Sequence, residues 1–267
     1  MDLTYPKEAE EFRAVIAEWL AENLPEGWGT EGFSMTRDER LAWSDQWAKR
    51  LHAGGWICAS WPEEYGGKGL SLLEQVVLQE EFARVEAPLR ADFFGDTLVG
   101  PTLLQWGSEE QKQEFIPRIL SGTIAWCQGF SEPDAGSDLA SLTTRAELDG
   151  DEWVINGQKV WTSLGQFADL GMLLARTNPE VPKHQGITWM VLDMHQPGVE
   201  VRPLREMTGS AMFNEVFISD AHVADSAVIG DVNNGWAVAN TTLAFERSGL
   251  GAGGGGGGFS AMPGTVA

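Results

Sequence analysis

The sequence predicts an α+β multidomain protein: an N-terminal α-helical bundle, a middle β-barrel or sandwich domain, and the start of a C-terminal helical-bundle domain. Three observations predict it. Helical periodicity and helix-start signals run through residues 6–122, strand-like runs separated by tight-turn dipeptides follow, and helical composition returns at Gly235. The expected domains are therefore 1–122, 123–230 and 231–267.

In the first segment Phe12, Val15, Ile16, Trp19 and Leu20 recur at i, i+3, i+4, i+7 and i+8, one stripe of a helix that begins near Pro6 and is expected to face the core. Three more helix starts are written as a hydroxyl three residues before Glu or Gln: Thr36 with Glu39, Ser71 with Glu74, and Ser108 with Gln111. The hydroxyl accepts from an otherwise unpaired backbone N–H of the first turn, and the longer side chain reaches back to the capping residue. Gly54-Gly55, Gly66-Gly67 and Gly107 are expected to end helices through the left-handed region.

After Gly122 the runs 143–148, 153–155, 186–194, 199–207 and 214–219 have β-branched, aromatic or alternating character and are expected to be strands. Asp149-Gly150 and Asn156-Gly157 are expected as hairpin turns because both dipeptides tolerate positive φ. The run that starts at Gly235 (GWAVANTTLAFERSG) is expected to open a third domain that has barely begun when the chain ends. Within Gly251–Gly258, helix would cost about 0.8–1 kcal/mol per glycine relative to alanine, so a flexible tail is expected.

Composition excludes several classes. A formal charge of −21, from 39 acidic and 18 basic residues, argues against a nucleic-acid partner, and an anionic ligand would need a local basic spot. Cys58 and Cys127 stand apart, as in a reducing compartment, and His52, His184, His195 and His222 lack metal-site spacing. No apolar window approaches a membrane span and the N-terminus lacks a leader pattern, so a cytoplasmic protein without a membrane span is expected.

The chemically informative run is 126–138, WCQGFSEPDAGSD. A strand over 123–130 enters a turn rich in Gly, Pro and Asp, which can present backbone amides and the hydroxyls of Ser131 and Ser137 at one edge, suited to a phosphorylated ligand. On periodicity alone, an ordinary strand-to-loop transition is the simpler reading.

Residues 131–138, SEPDAGSD, closely resemble the acyl-CoA dehydrogenase signature, a Thr/Ser-Glu-Pro-x-Ala-Gly-Ser-Asp core, with Asp134 where that family usually has Gly. Further matches come in family order: Trp61 to Gly67 (WPEEYGG), Asn156 to Ser163 (NGQKVWTS), Phe217 to Val223, and Phe245-Glu246-Arg247. The resemblance implies FAD between the middle and C-terminal domains, with Gln128, Gly129, Phe130, Ser131 and Ser137 along the flavin. It implies that Trp161 packs on the isoalloxazine, that Thr162 also contacts the cofactor, and that Ser163 hydrogen-bonds near its N5 edge, where a donor stabilises charge arriving with the hydride. A plain core tryptophan is the other reading of Trp161.

The implied reaction is α,β-dehydrogenation of an acyl-CoA thioester. Glu246 is the candidate base, as in members resembling isovaleryl- or long-chain acyl-CoA dehydrogenases, and Phe245, Arg247 and Ser137 would contact substrate. A solvated helical carboxylate is the other reading of Glu246. The resemblance also implies a homo- or hetero-tetramer and an electron-transfer flavoprotein as acceptor. A C-terminal domain cut short would leave the chain binding FAD poorly. Competing readings are a non-catalytic subunit of a heteromeric dehydrogenase, a flavin monooxygenase or oxidase on the same scaffold, and an interaction domain without cofactor.

Overall fold

The computed structural model describes residues 5–89 and 92–249, and the expected glycine-rich tail lies outside them. The chain divides between Ala91 and Asp92 into two compact units.

The first unit is built on α1 (Lys7–Asn23), α2 (Arg37–Ala53) and α3 (Leu72–Arg84). In α1, which follows Pro6 directly, Ile16 and Leu20 are fully buried and Phe12 and Trp19 partly so. Val15 departs from the expected core stripe and is 54% exposed. It sits a 100° step from Ile16 on the helix, and the inward face is the narrower one carrying Ala9, Ile16 and Leu20. Trp19 is the aromatic hub, with ring centroids 5.4 Å from Trp47, 5.8 Å from Trp56 and 6.3 Å from Phe82.

The second unit opens with a π-helical turn, Phe93–Val99, continuous with α4 (Gly100–Trp106), and then α5 (Glu109–Ser121). All three expected capping boxes are formed, at the starts of α2, α3 and α5. Gly55 and Gly66 take the left-handed conformation expected of them. Gly107 does not: α4 ends there at φ −72°, ψ 148°, because the chain continues extended into the Ser108 cap of α5.

The sheet comprises β1 (Trp126–Gly129), β2 (Arg145–Asp149), β3 (Glu152–Ser163), β4 (Leu170–Arg176), β5 (Ile187–Asp193), β6 (Val199–Leu204), β7 (Phe213–Ala224) and β8 (Val228–Ile229). Its order is β6-β7-β3-β2-β4-β5-β8, with β1 parallel to β4. Trp153 and Ile155 of β3, Leu173 of β4, Met190 and Leu192 of β5, and Val216 and Ile218 of β7 form one buried cluster. Because β5 and β7 stand four places apart in the order yet share that cluster, the sheet curls into a barrel-like body. Burying each such side chain contributes about 1.5–3 kcal/mol.

Two departures from the expected strands are instructive. Asn156-Gly157 is not a turn, since β3 runs straight through it with a register break between Ile155 and Gly157. Glycine is needed there for close approach: a Cβ on Gly157 would lie 2.4 Å from Thr144 Oγ1. Asp149-Gly150 does turn, with Gly150 at φ 68° between paired Asp149 and Glu152. β4 was not expected because its run from Gly171 to Ala175 is buried at every position, leaving no alternation to read. Beyond the sheet, α6 (Gly235–Gly249) packs on β5, on α4 and on the π-helical turn.

Candidate active site

β1 delivers the signature run to one end of the barrel. Val160 N–H donates to Ser131 O at 2.9 Å, so the Ser131 segment lies directly against the part of β3 that carries Trp161 to Ser163. Trp161 is 62% exposed, not part of the core. Its φ of 59° is unusual for a large side chain, and it coincides with a register break in β3–β7 pairing between Lys159 and Thr162. The indole meets Phe213 edge-on, at 5.9 Å and 83°, which leaves a broad aromatic face available for stacking.

α6 brings the remaining candidates. Val238 and Thr242 are buried one turn apart, and the next turn on that face carries half-buried Phe245 and Glu246. Two hydroxyl contacts position this helix: Thr102 Oγ1 lies 2.9 Å from Thr242 Oγ1, and Trp106 Nε1 donates to Thr241 Oγ1 at 2.9 Å. Glu246 then reaches β1, where Gln128 Nε2 donates to its Oε2 at 3.2 Å. Arg247 is exposed.

The structure thus brings Gln128 to Glu246, and the Ser131 segment to the strand that carries Trp161 and Ser163, within one compact unit. Ser163 is half-buried, paired with Phe213 in the β3–β7 ladder. Gly129 and Thr162 instead line an interior cavity of about 10 Å³ together with Cys127, whose burial pushes its thiol to about 12. Phe130 is buried beside it, and Ser137 is exposed on the loop after the Glu132–Ala135 turn. Next to Ser137, a Cβ on Gly136 would meet no protein atom within 4 Å. A flat exposed indole, an open backbone stretch at Gly136 and half-buried serines at 131 and 163 are compatible with a flavin and its phosphates.

Three residues beside the site were given no role of their own by the sequence. Glu132, 5% exposed, accepts from Lys159 Nζ at 2.9 Å, Thr144 N at 2.9 Å, and Thr143 N and Oγ1 at 2.7 and 2.8 Å. Burial opposes its ionisation, but Lys159 and these donors more than compensate, holding the carboxyl at about 2. Lys159, 1% exposed, is drawn down to about 8 by burial against the attraction of Glu132. The available signal was a lysine at an inward-facing position of β3 and a glutamate inside the signature. Asn214, fully buried, donates to Thr162 O at 2.9 Å and fixes the backbone just after Trp161.

The acyl-CoA dehydrogenase N-terminal domain model matches residues 6–123 and the middle domain model matches 127–229. The chain belongs to the acyl-CoA dehydrogenase family. It is 48% identical over 244 residues to acyl-CoA dehydrogenase IpdE1 of Mycobacterium tuberculosis, covering 90% of this chain and 63% of that protein. Among solved structures, the Tcur3481-Tcur3483 steroid ACAD aligns with TM-score 0.75 and 40% identity, covering 96% of this chain and 65% of that one. The ChsE4-ChsE5 complex from Mycobacterium tuberculosis aligns with TM-score 0.72 and 34% identity, covering 92% and 61%. The chain thus spans somewhat less than two thirds of the length of these dehydrogenases. Among the described residues no helix is long and apolar enough to cross a membrane, and no cluster of three or more His, Cys, Asp or Glu could hold a metal.

Proposed function

We propose that this chain supplies the flavin-facing and base-bearing part of an FAD-dependent acyl-CoA dehydrogenase that converts an acyl-CoA thioester to the 2-enoyl-CoA. The Gln128–Glu246 hydrogen bond carries this reading, because it sets a carboxylate at the end of the strand that leads into Ser131–Asp138. In the reaction Glu246 removes the α-proton of the thioester, and the Gln128 amide orients its carboxylate. Bound FAD would supply the acceptor for the β-hydride. Trp161 offers the stacking face, Ser131 and Ser163 offer hydroxyl donors, and Phe245 lines the acyl side of Glu246.

A local basic spot also supports an anionic CoA ligand despite the charge of −21. Arg145, Arg176 and Lys183, with one carboxylate at Glu147, line a groove of about 540 Å³ with Ser141 and Thr143. The likeness to the Tcur3481-Tcur3483 steroid ACAD makes a steroid-derived acyl group the first substrate to test, and the paired names of that protein and of the ChsE4-ChsE5 complex favour assembly with a second subunit. An electron-transfer flavoprotein would reoxidise the cofactor.

The test is anaerobic addition of an acyl-CoA panel, steroid-derived thioesters included, to the complete polypeptide loaded with FAD. Bleaching of the flavin band with formation of 2-enoyl-CoA is expected. A colourless protein that refuses FAD overturns the reading, and oxygen-dependent turnover without enoyl product points to an oxidase.

A further inference from the structure

We propose that the buried Glu132–Lys159 pair is a positioning clasp that holds the Ser131 and Trp161 segments in mutual register. Its consequence for cofactor binding rests on the flavin reading above; the clasp itself does not. The two charges sit one on each segment, Glu132 next to Ser131 and Lys159 two residues before Trp161. Lys159 Nζ bridges both, donating to Glu132 Oε1 at 2.9 Å and to Phe130 O at 3.1 Å. Between these anchors runs a backbone bond that joins the segments directly, Val160 N–H to Ser131 O.

Net stability is a weak explanation for such a pair. Removing two charges from water offsets most of their attraction, and well-packed apolar residues usually serve a core as well or better. What an apolar pair cannot do is gather three segments at fixed distances. The carboxylate takes one bond from Lys159 and three from Thr143 and Thr144, and its two oxygens are shared between those partners. Trp161 needs such anchoring. Its positive φ persists only where the surroundings over-determine it, and Lys159 fixes the chain before it as Asn214 fixes the chain after it.

The experiment compares wild type with the double variant Glu132→Leu/Lys159→Met, and with Thr143→Val, a milder change that removes one donor and leaves both charges. Three quantities are read: melting temperature, exchange of the Val160 amide, and affinity for added FAD. The double variant should melt below wild type, because it leaves the Thr143 and Thr144 amides without their acceptor, but its Val160 amide should exchange faster by about tenfold or more relative to amides of β4 and β5 in the same protein; Thr143→Val should speed that exchange by a few fold. FAD should bind the double variant about tenfold more weakly, the loss expected when a preorganised surface loosens. Wild-type protection of Val160 in the double variant, or in Thr143→Val if the double variant does not fold, overturns the clasp. Failure of wild type itself to bind FAD sinks the flavin reading instead, and leaves the exchange result to decide the clasp.

Discussion

Gln128 Nε2 lies 3.2 Å from Glu246 Oε2, which ties the first strand of the sheet to the last described helix and brings residues 118 apart in sequence into one site. Glu246→Gln in the complete polypeptide should retain bound FAD yet lower kcat by about a hundredfold or more, the usual cost of removing a general base. Gln128→Leu should lower kcat by about tenfold with little change in KM, because it loosens the base without removing it. Steady-state kinetics on the two variants checks this; equal kcat in wild type and Glu246→Gln would assign the proton transfer elsewhere.

Trp161 contributes little to the core, being 62% exposed. Trp161→Ala should therefore change unfolding free energy by no more than about 0.5 kcal/mol. The same substitution should weaken FAD binding by about tenfold, in line with the loss of an aromatic stacking partner. Chemical denaturation and a flavin titration, run on the same samples, separate the two effects.

Acid should expose the Glu132 contribution. Its folded-state value of about 2 lies below the ordinary carboxylate value of 4.5, so the stabilisation is fully present above about 4.5 and is lost as pH falls through about 2. The shift corresponds to about 3 kcal/mol, an upper figure for one carboxyl. Melting temperature followed downward from pH 5 should fall more steeply for wild type than for Glu132→Gln, which has no carboxyl there to protonate.

The basic groove makes a salt-sensitive prediction. Arg176 is committed to the carbonyls of Ala140, Leu142 and Lys183, and Lys183 is paired with Asp138, whereas Arg145 is more loosely engaged, 4.0 Å from Glu147. Arg145→Ala should raise KM for acyl-CoA several-fold at low ionic strength, and the difference from wild type should shrink as salt screens the contact. An unchanged KM at low salt would place the CoA phosphates away from this groove.

Local features were the most legible in the sequence. The capping boxes at Thr36, Ser71 and Ser108 need only neighbours three residues apart, and each formed as written. The Asp149-Gly150 turn was legible for the same reason. β4 and the run through Asn156-Gly157 were not, since burial on both faces erases alternation and a turn-prone dipeptide yields when a neighbouring strand requires a residue without a side chain.

The sequence by itself determined the helix starts, the switch from helical to strand character and, through the SEPDAGSD run, the family. Only the tertiary structure decided that Trp161 is exposed, that Glu132 and Lys159 are buried together, and that Glu246 reaches Gln128. The reason is range: a cap or a turn is fixed by energies between near neighbours, whereas burial and a side-chain contact across 118 residues depend on how the sheet curls and where the last helix lands on it.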